Sequence, residues 1–247
     1  MTVSDLRFDD LPSHPPYRYV WETAKLPRTC FRFPAAAGGH ELQIAPPYWD
    51  SGPHDQPFDI SACLTRLSES VIASCSDLRH IDMKRVLVTT TFARNRRPHG
   101  LQARITPLRF REGSLIRRIR QRDYQVQRHV VDGRELLYLM TFCLPRFLDL
   151  DFDEKMITLF HELFHISPQF DGDIRRHSGR YHVHSHSKCK YDEQMGGLVR
   201  EYLSNGADPK LHAFMRMTTS QLLSRHGSIR GIVMPRPKIL PLPIRAV

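Results

Sequence analysis

Prolines crowd both ends of this chain. Nine of the 18 prolines fall within residues 1–58, among them Pro15-Pro16 and Pro46-Pro47, and Pro235, Pro237, Pro241 and Pro243 crowd the last stretch. Each fixes φ and removes a backbone donor, so the first segment cannot form a long helix, and the tail is expected to be an extended strand or arm. The first segment interleaves its prolines with Tyr17, Tyr19, Trp21, Phe31, Phe33, Tyr48 and Trp49. So many aromatics argue against a wholly disordered tract. We therefore expect a Pro-rich arm over residues 1–58, partly docked on the body, a folded domain over 59–226, and a Pro-rich basic tail over 227–247.

The middle segment carries both helical and strand periodicity. From Asp59, a good N-cap, the residues Ile60, Cys63, Leu64, Leu67, Val71, Cys75 and Leu78 fall on one helical face. Residues 85–92 are β-branched and apolar, and 102–111 read as a second strand whose Pro107 points to an edge or a bulge. Asp132-Gly133 predicts a tight hairpin between 124–131 and 135–143, the second of these apolar on both faces and therefore central. Asp151 and Glu154 form a capping-box pattern ahead of a helix that ends before Pro168. Further helices are expected over about 187–203 and 209–224. With 247 residues, 40% hydrophobic and 25% charged, the chain can bury a real core.

One motif stands out within the capped helix: His161-Glu162-Leu163-Phe164-His165. Positions i and i+4 share a helix face, so both imidazoles can reach one Zn²⁺ at about 2.0–2.1 Å. The intervening glutamate is placed to act as general base toward a zinc-bound water. With 14 His in the chain, chance supplies roughly 0.03 such matches for this composition. His40-Glu41-Leu42 begins in the same way, but Ile44 stands where the second histidine would be.

A catalytic zinc needs a third protein ligand and an open position. Asp171 occupies the position where a metzincin would have its third histidine. Glu193 and Glu201 are available on the next helix, but His182, His184 and His186 alternate just before it and are favoured. Asp171, Asp173 and Asp192 are candidates to orient ligand histidines. Arg180, Tyr181, Tyr191 and His177 are candidates to stabilise an oxyanion. Asp171-Gly172-Asp173 is too short for a calcium loop and reads as a turn.

The segments HELFHISPQFDGDIRRH and GRYHVHSHSKCKYDEQM resemble metallopeptidases grouped with phage and planctomycete proteins, minimal zincins distantly similar to SprT-like proteases. The resemblance covers roughly residues 60–203 and is most specific over 142–195. It implies an α+β, zincin-like fold, with a small antiparallel sheet packed on helices that include the HExxH helix. It also implies metal ligands His161, His165 and a downstream histidine, best matched by His184 with His186 close behind, and Glu162 as base. His182 is an additional histidine in that run, and the Pro-rich arms have no counterpart in the resemblance.

The expected activity is zinc-dependent hydrolysis of peptide bonds in a protein or peptide substrate, with Glu162 activating the zinc-bound water. Charge adds an alternative. The formal net charge is +10, and residues 82–128 hold 13 Lys and Arg against 3 Asp and Glu, which accounts for the whole excess. This stretch is either a solvated face or a contact for nucleic acid. The alternatives are accordingly a SprT-like protease acting on nucleic-acid-bound proteins, an inactive zinc- or nucleic-acid-binding module, and a zinc hydrolase of another bond. No run of 18 apolar residues exists, so no membrane helix is expected. The five cysteines show no C-x-x-C spacing and the start lacks a charged-then-apolar leader, so a cytoplasmic location is expected.

Overall fold

The computed structural model describes residues 17–21, 28–32, 57–93, 100–131, 133–176 and 188–242. In chain order the elements are β1 (Tyr17–Trp21), β2 (Arg28–Arg32), β3 (Phe58–Asp59), α1 (Ile60–Ser74), β4 (Val86–Phe92), β5 (Ala103–Pro107), β6 (Ile116–Ile119), β7 (Arg122–Val126), β8 (Val130–Val131), β9 (Arg134–Glu135) and β10 (Tyr138–Leu144). They continue with α2 (Phe152–Phe164), α3 (Lys188–Ser204), α4 (Pro209–His212), α5 (Thr219–His226), β11 (Ile229–Val233) and β12 (Ile239–Pro241). The architecture is α+β.

The central sheet has the order β4-β10-β5. All seven residues of β10 are buried, as its two-sided apolar pattern requires. The sheet is small, but it is mixed rather than purely antiparallel. β10 runs parallel to β4 and antiparallel to β5. Parallel neighbours need a long crossover, and residues 93–137 supply it. The Asp132-Gly133 hairpin is confined to β8 and β9, two residues each, with Asp132 itself outside the described residues. β7 pairs instead with β6 and β12 in a separate sheet.

One face of the central sheet packs on the helices. Val88, Tyr138, Met140 and Phe142 meet Leu64, Leu67, Met156, Leu159, Phe160 and Leu163 in one core. Asp59 caps α1 by accepting the Ala62 N–H at 3.0 Å, which starts the helix where its apolar stripe begins. The opposite face carries Leu87, Leu108 and Leu139 against Ile232 of β11. From the helix side β11 is also held by hydrogen bonds: Thr90 Oγ1 donates to the Ile232 carbonyl at 3.0 Å, and the Ile232 N–H donates to Ser61 Oγ of α1 at 2.9 Å. β11 also pairs with β1, in the order β2-β1-β11-β3.

Ring and hydrogen-bond contacts tie α2 to the other helices. Phe160 lies 6.0 Å, centroid to centroid, from Tyr202 of α3, and the Tyr202 hydroxyl lies 3.0 Å from Ser70 Oγ on α1. Lys155 is buried, and its Nζ donates to the carbonyls of Met215 and Met217 at 3.0 and 2.8 Å. The expected 209–224 helix is broken into α4, a short 3₁₀ turn and α5, because Thr218 and Gln221 start a new helix with their own capping box. Among the described residues no helix is long and apolar enough to cross a membrane.

Candidate metal centre

The centre is built on the last turn of α2. Asp151 and Glu154 cap the helix reciprocally, as their spacing predicts, with the Glu154 N–H 2.8 Å from Asp151 Oδ1. Met156, Leu159, Phe160 and Leu163 anchor one face in the core, which turns His161 and His165 away from that face and brings Glu162 to β5. The two imidazoles stand edge to face, 4.5 Å between centroids at 83°, with their Nε2 atoms 2.8 Å apart. Glu162 and His165 are buried, and His161 is half-exposed.

Glu162 sits against the free edge of the sheet. The Leu108 N–H bonds the Leu137 carbonyl, and the Cys143 N–H bonds the Gln102 carbonyl. Residues 102, 104, 106 and 108 therefore face β10, and Ala103, Ile105 and Pro107 turn their backbone groups outward. The outward Ile105 N–H bonds the Glu162 carboxylate. Burial outweighs this bond and pushes the Glu162 carboxyl up to about 7. A proton acceptor with that value is well matched to work near neutral pH. Pro107, which read as an edge or bulge residue, lies on this outward edge, where no ladder donor is lost.

The chain leaving α2 is folded back and pinned. The Arg175 N–H donates to the His165 carbonyl at 2.7 Å, Ile166 bridges Ile174, and the Arg175 guanidinium lies 4.0 Å above the Phe164 ring. Tyr138 of β10 holds the turn from below, donating its hydroxyl proton to the Asp173 carbonyl at 2.8 Å and accepting the Gly172 N–H at 2.9 Å. Gly172 has φ +89°, a left-handed conformation that glycine adopts freely. Asp171 Oδ1 accepts the Asp173 N–H, which completes the turn expected of Asp171-Gly172-Asp173. The result returns the backbone to the side of His165 just before the histidine-rich segment begins.

Asp173 serves this turn. Its carboxylate accepts from the backbone of Glu112 and Ile174 and from Nε and NH2 of Arg176, and these bonds hold it below the usual carboxylate range. Glu193 and Glu201 are exposed on α3, and Glu201 lies in the electrostatic environment of Cys75, the C-cap of α1. His177, Arg180, Tyr181, His182, His184 and His186 lie outside the described residues, as do the side chains of Tyr191 and Asp192.

Tyr138 and the Ile105 N–H are site components that sequence reasoning missed. A Tyr inside an otherwise apolar central strand was the available signal, since a buried hydroxyl needs a polar partner. The Ile105 amide gave none, because every residue but proline has one.

Zinc fits the two donors present. Zn–N bonds of about 2.0–2.1 Å in a tetrahedral site put two ligand nitrogens about 3.4 Å apart. The Nε2 pair at 2.8 Å reaches that by a small ring rotation. Among the described residues no group of three or more metal-ligating side chains occurs. No protein-family profile, curated protein or solved structure matches this chain.

Proposed function

We propose that the protein is a zinc-dependent metallopeptidase of zincin-like fold. The observation that carries this reading is the convergence of the His161 and His165 Nε2 atoms at 2.8 Å beside the buried, proton-accepting Glu162. His161 and His165 would hold the metal with a histidine of the 182–186 run, His184 first. Bound zinc supplies Lewis acidity toward a carbonyl oxygen. Glu162 takes the proton of the attacking water and returns it to the departing amine nitrogen. The outward backbone groups of Ala103 and the outward carbonyl of Ile105, whose N–H is held by Glu162, offer an extended peptide a strand to pair with.

The test is hydrolysis of a mixed peptide library by zinc-loaded protein, read by mass spectrometry. Cleavage by the wild type, lost by at least about 10²-fold in Glu162→Gln while zinc stays bound, is the expected result. Equal cleavage by the two proteins refutes the assignment of Glu162. Absence of cleavage by the zinc-loaded wild type refutes the peptidase reading.

A second reading concerns the substrate's surroundings and rests on the β6–β7 ribbon. Its turn residues Arg120 and Gln121 both have positive φ, 51° and 20°. Non-glycine residues adopt such values at a cost of about 1–2 kcal/mol each. The ribbon so formed carries Arg117, Arg118, Arg120 and Arg122 exposed, with Ile119 exposed at its tip. A narrow arginine ribbon suits a nucleic-acid groove. Steeply salt-dependent binding of duplex DNA, weakened by Arg118→Ala and Arg120→Ala, is the outcome that supports a protease acting on nucleic-acid-bound proteins.

A further inference from the structure

The free edge of β5 leads from Glu162 into a cavity of about 550 Å³. From Ile105 to Pro107 is two residues, about 7 Å along a strand, and the Pro107 ring is one wall of that cavity. Ile174, in the pinned segment that follows His165, is another. Beyond Pro107 the edge is closed, because the Arg109 N–H is taken by the Gly172 carbonyl at 3.1 Å. A strand added beside Ile105 therefore ends at the cavity mouth.

The lining carries an excess of positive charge. Four arginines, Arg109, Arg111, Arg117 and Arg176, line it with a single acidic residue, Asp173. Both oxygens of Asp173 are committed to Arg176 and to the backbone N–H groups of Glu112 and Ile174. Arg109 is buried and held by Glu135 at 2.8 Å, so it is part of the wall. Arg111 pairs with the surface carboxylate of Glu112, at 3.2 Å with both side chains largely exposed, a weak competitor for an incoming anion. Arg117 is exposed, and no ion pair engages it among the described residues. Arginines in the wall of a partly enclosed space favour a planar carboxylate, which a guanidinium can bind through paired N–H donors.

Resting on the peptidase reading above, we propose that this cavity is a substrate subsite that selects an acidic side chain, Asp or Glu, within about two residues of the scissile bond. Arg117, with Arg111 and the outer edge of Arg176, makes the contact. Strand pairing through the Ala103 backbone and the Ile105 carbonyl sets the distance between that side chain and Glu162, which holds the Ile105 N–H.

The experiment uses the full chain loaded with zinc and a set of peptides differing only in Glu, Gln or Lys at each position flanking a cleaved bond. Glu at one position within two residues of that bond should raise kcat/KM by about tenfold over Gln, and Arg117→Glu should remove that preference and favour Lys. Cleavage without an acidic preference, or a preference untouched by Arg117→Glu, overturns the subsite and leaves the peptidase reading standing. If the wild type cleaves nothing, the peptidase reading fails, and a binding measurement still decides the cavity. In that measurement, fluorescein-labelled hexapeptides containing one Glu are titrated into the Glu162→Gln variant beside their Gln counterparts. Tighter binding of the Glu set that is lost on Arg117→Glu supports the cavity as an acidic site, and equal binding overturns it. If the Glu peptides fail to displace a duplex oligonucleotide that depends on Arg117, the arginines serve nucleic acid and the subsite is overturned.

Discussion

Lys155 makes the stability of the fold depend on alkaline pH in a predictable direction. It lies on α2, the helix of the candidate metal centre, with 1% of its surface exposed. Burial pushes its ammonium down from 10.5 to about 8, against the opposing pull of Asp149 and Asp151. The folded chain thus gives up this proton before the unfolded chain does. Below about pH 8 both states are charged and the fold bears the full desolvation cost. Between about 8 and 10.5 the unfolded chain holds the extra proton, so stability rises with pH, at about 1.4 kcal/mol per unit. The ceiling is about 3 kcal/mol. Tyr and Cys side chains titrate in the same range, so the effect is read as a difference from Lys155→Met, which lacks the group. Urea unfolding of both proteins, followed by circular dichroism at intervals from pH 7 to 10.5, gives that difference. Wild type should gain on the variant by about 1–3 kcal/mol across the range. A difference that stays constant to within about 0.5 kcal/mol, or that falls, refutes the reasoning.

Other consequences can be checked on the same preparations. Gly172→Ala forces a side chain onto φ +89° and sets its Cβ 2.5 Å from Arg109 Cγ, so unfolding free energy should drop by about 2 kcal/mol or more in denaturant titration. Thr218→Ala removes the capping side chain that accepts the Gln221 N–H at 3.3 Å, and should cost about 1 kcal/mol in the same assay. Chelation should lower the melting temperature of wild type, and added zinc should restore it in proportion to the logarithm of free metal, whereas His161→Ala should respond to neither.

Much of the scaffold was legible because its signals are local. The Asp59 cap, the Asp151–Glu154 box and the two-sided apolar run of β10 each depend on residues a few positions apart, and the structure contains all three. Pairing was harder to read. Alternation in 124–131 announces a strand without naming its partner, and β7 found β6 and the distant β12 rather than β10. The same limit hid the parallel β4–β10 pair, since strand direction is decided by the path of the intervening chain. At the centre, the spacing of His161, Glu162 and His165 was readable from the 3.6-residue period. The support around it was not, because Tyr138, Gly172 and the Ile105 amide act through contacts of long sequence separation.

The central claim is that His161 and His165 hold a zinc ion. Elemental mass spectrometry on purified wild type, His161→Ala, His184→Ala and Glu162→Gln tests it most directly. The account predicts about one zinc per chain in wild type and in Glu162→Gln, and none in His161→Ala. Loss in His184→Ala as well would assign the third ligand, and retention there would move it to His186 or His182. Wild type that takes up no zinc after reconstitution, or His161→Ala that keeps it, would contradict the account.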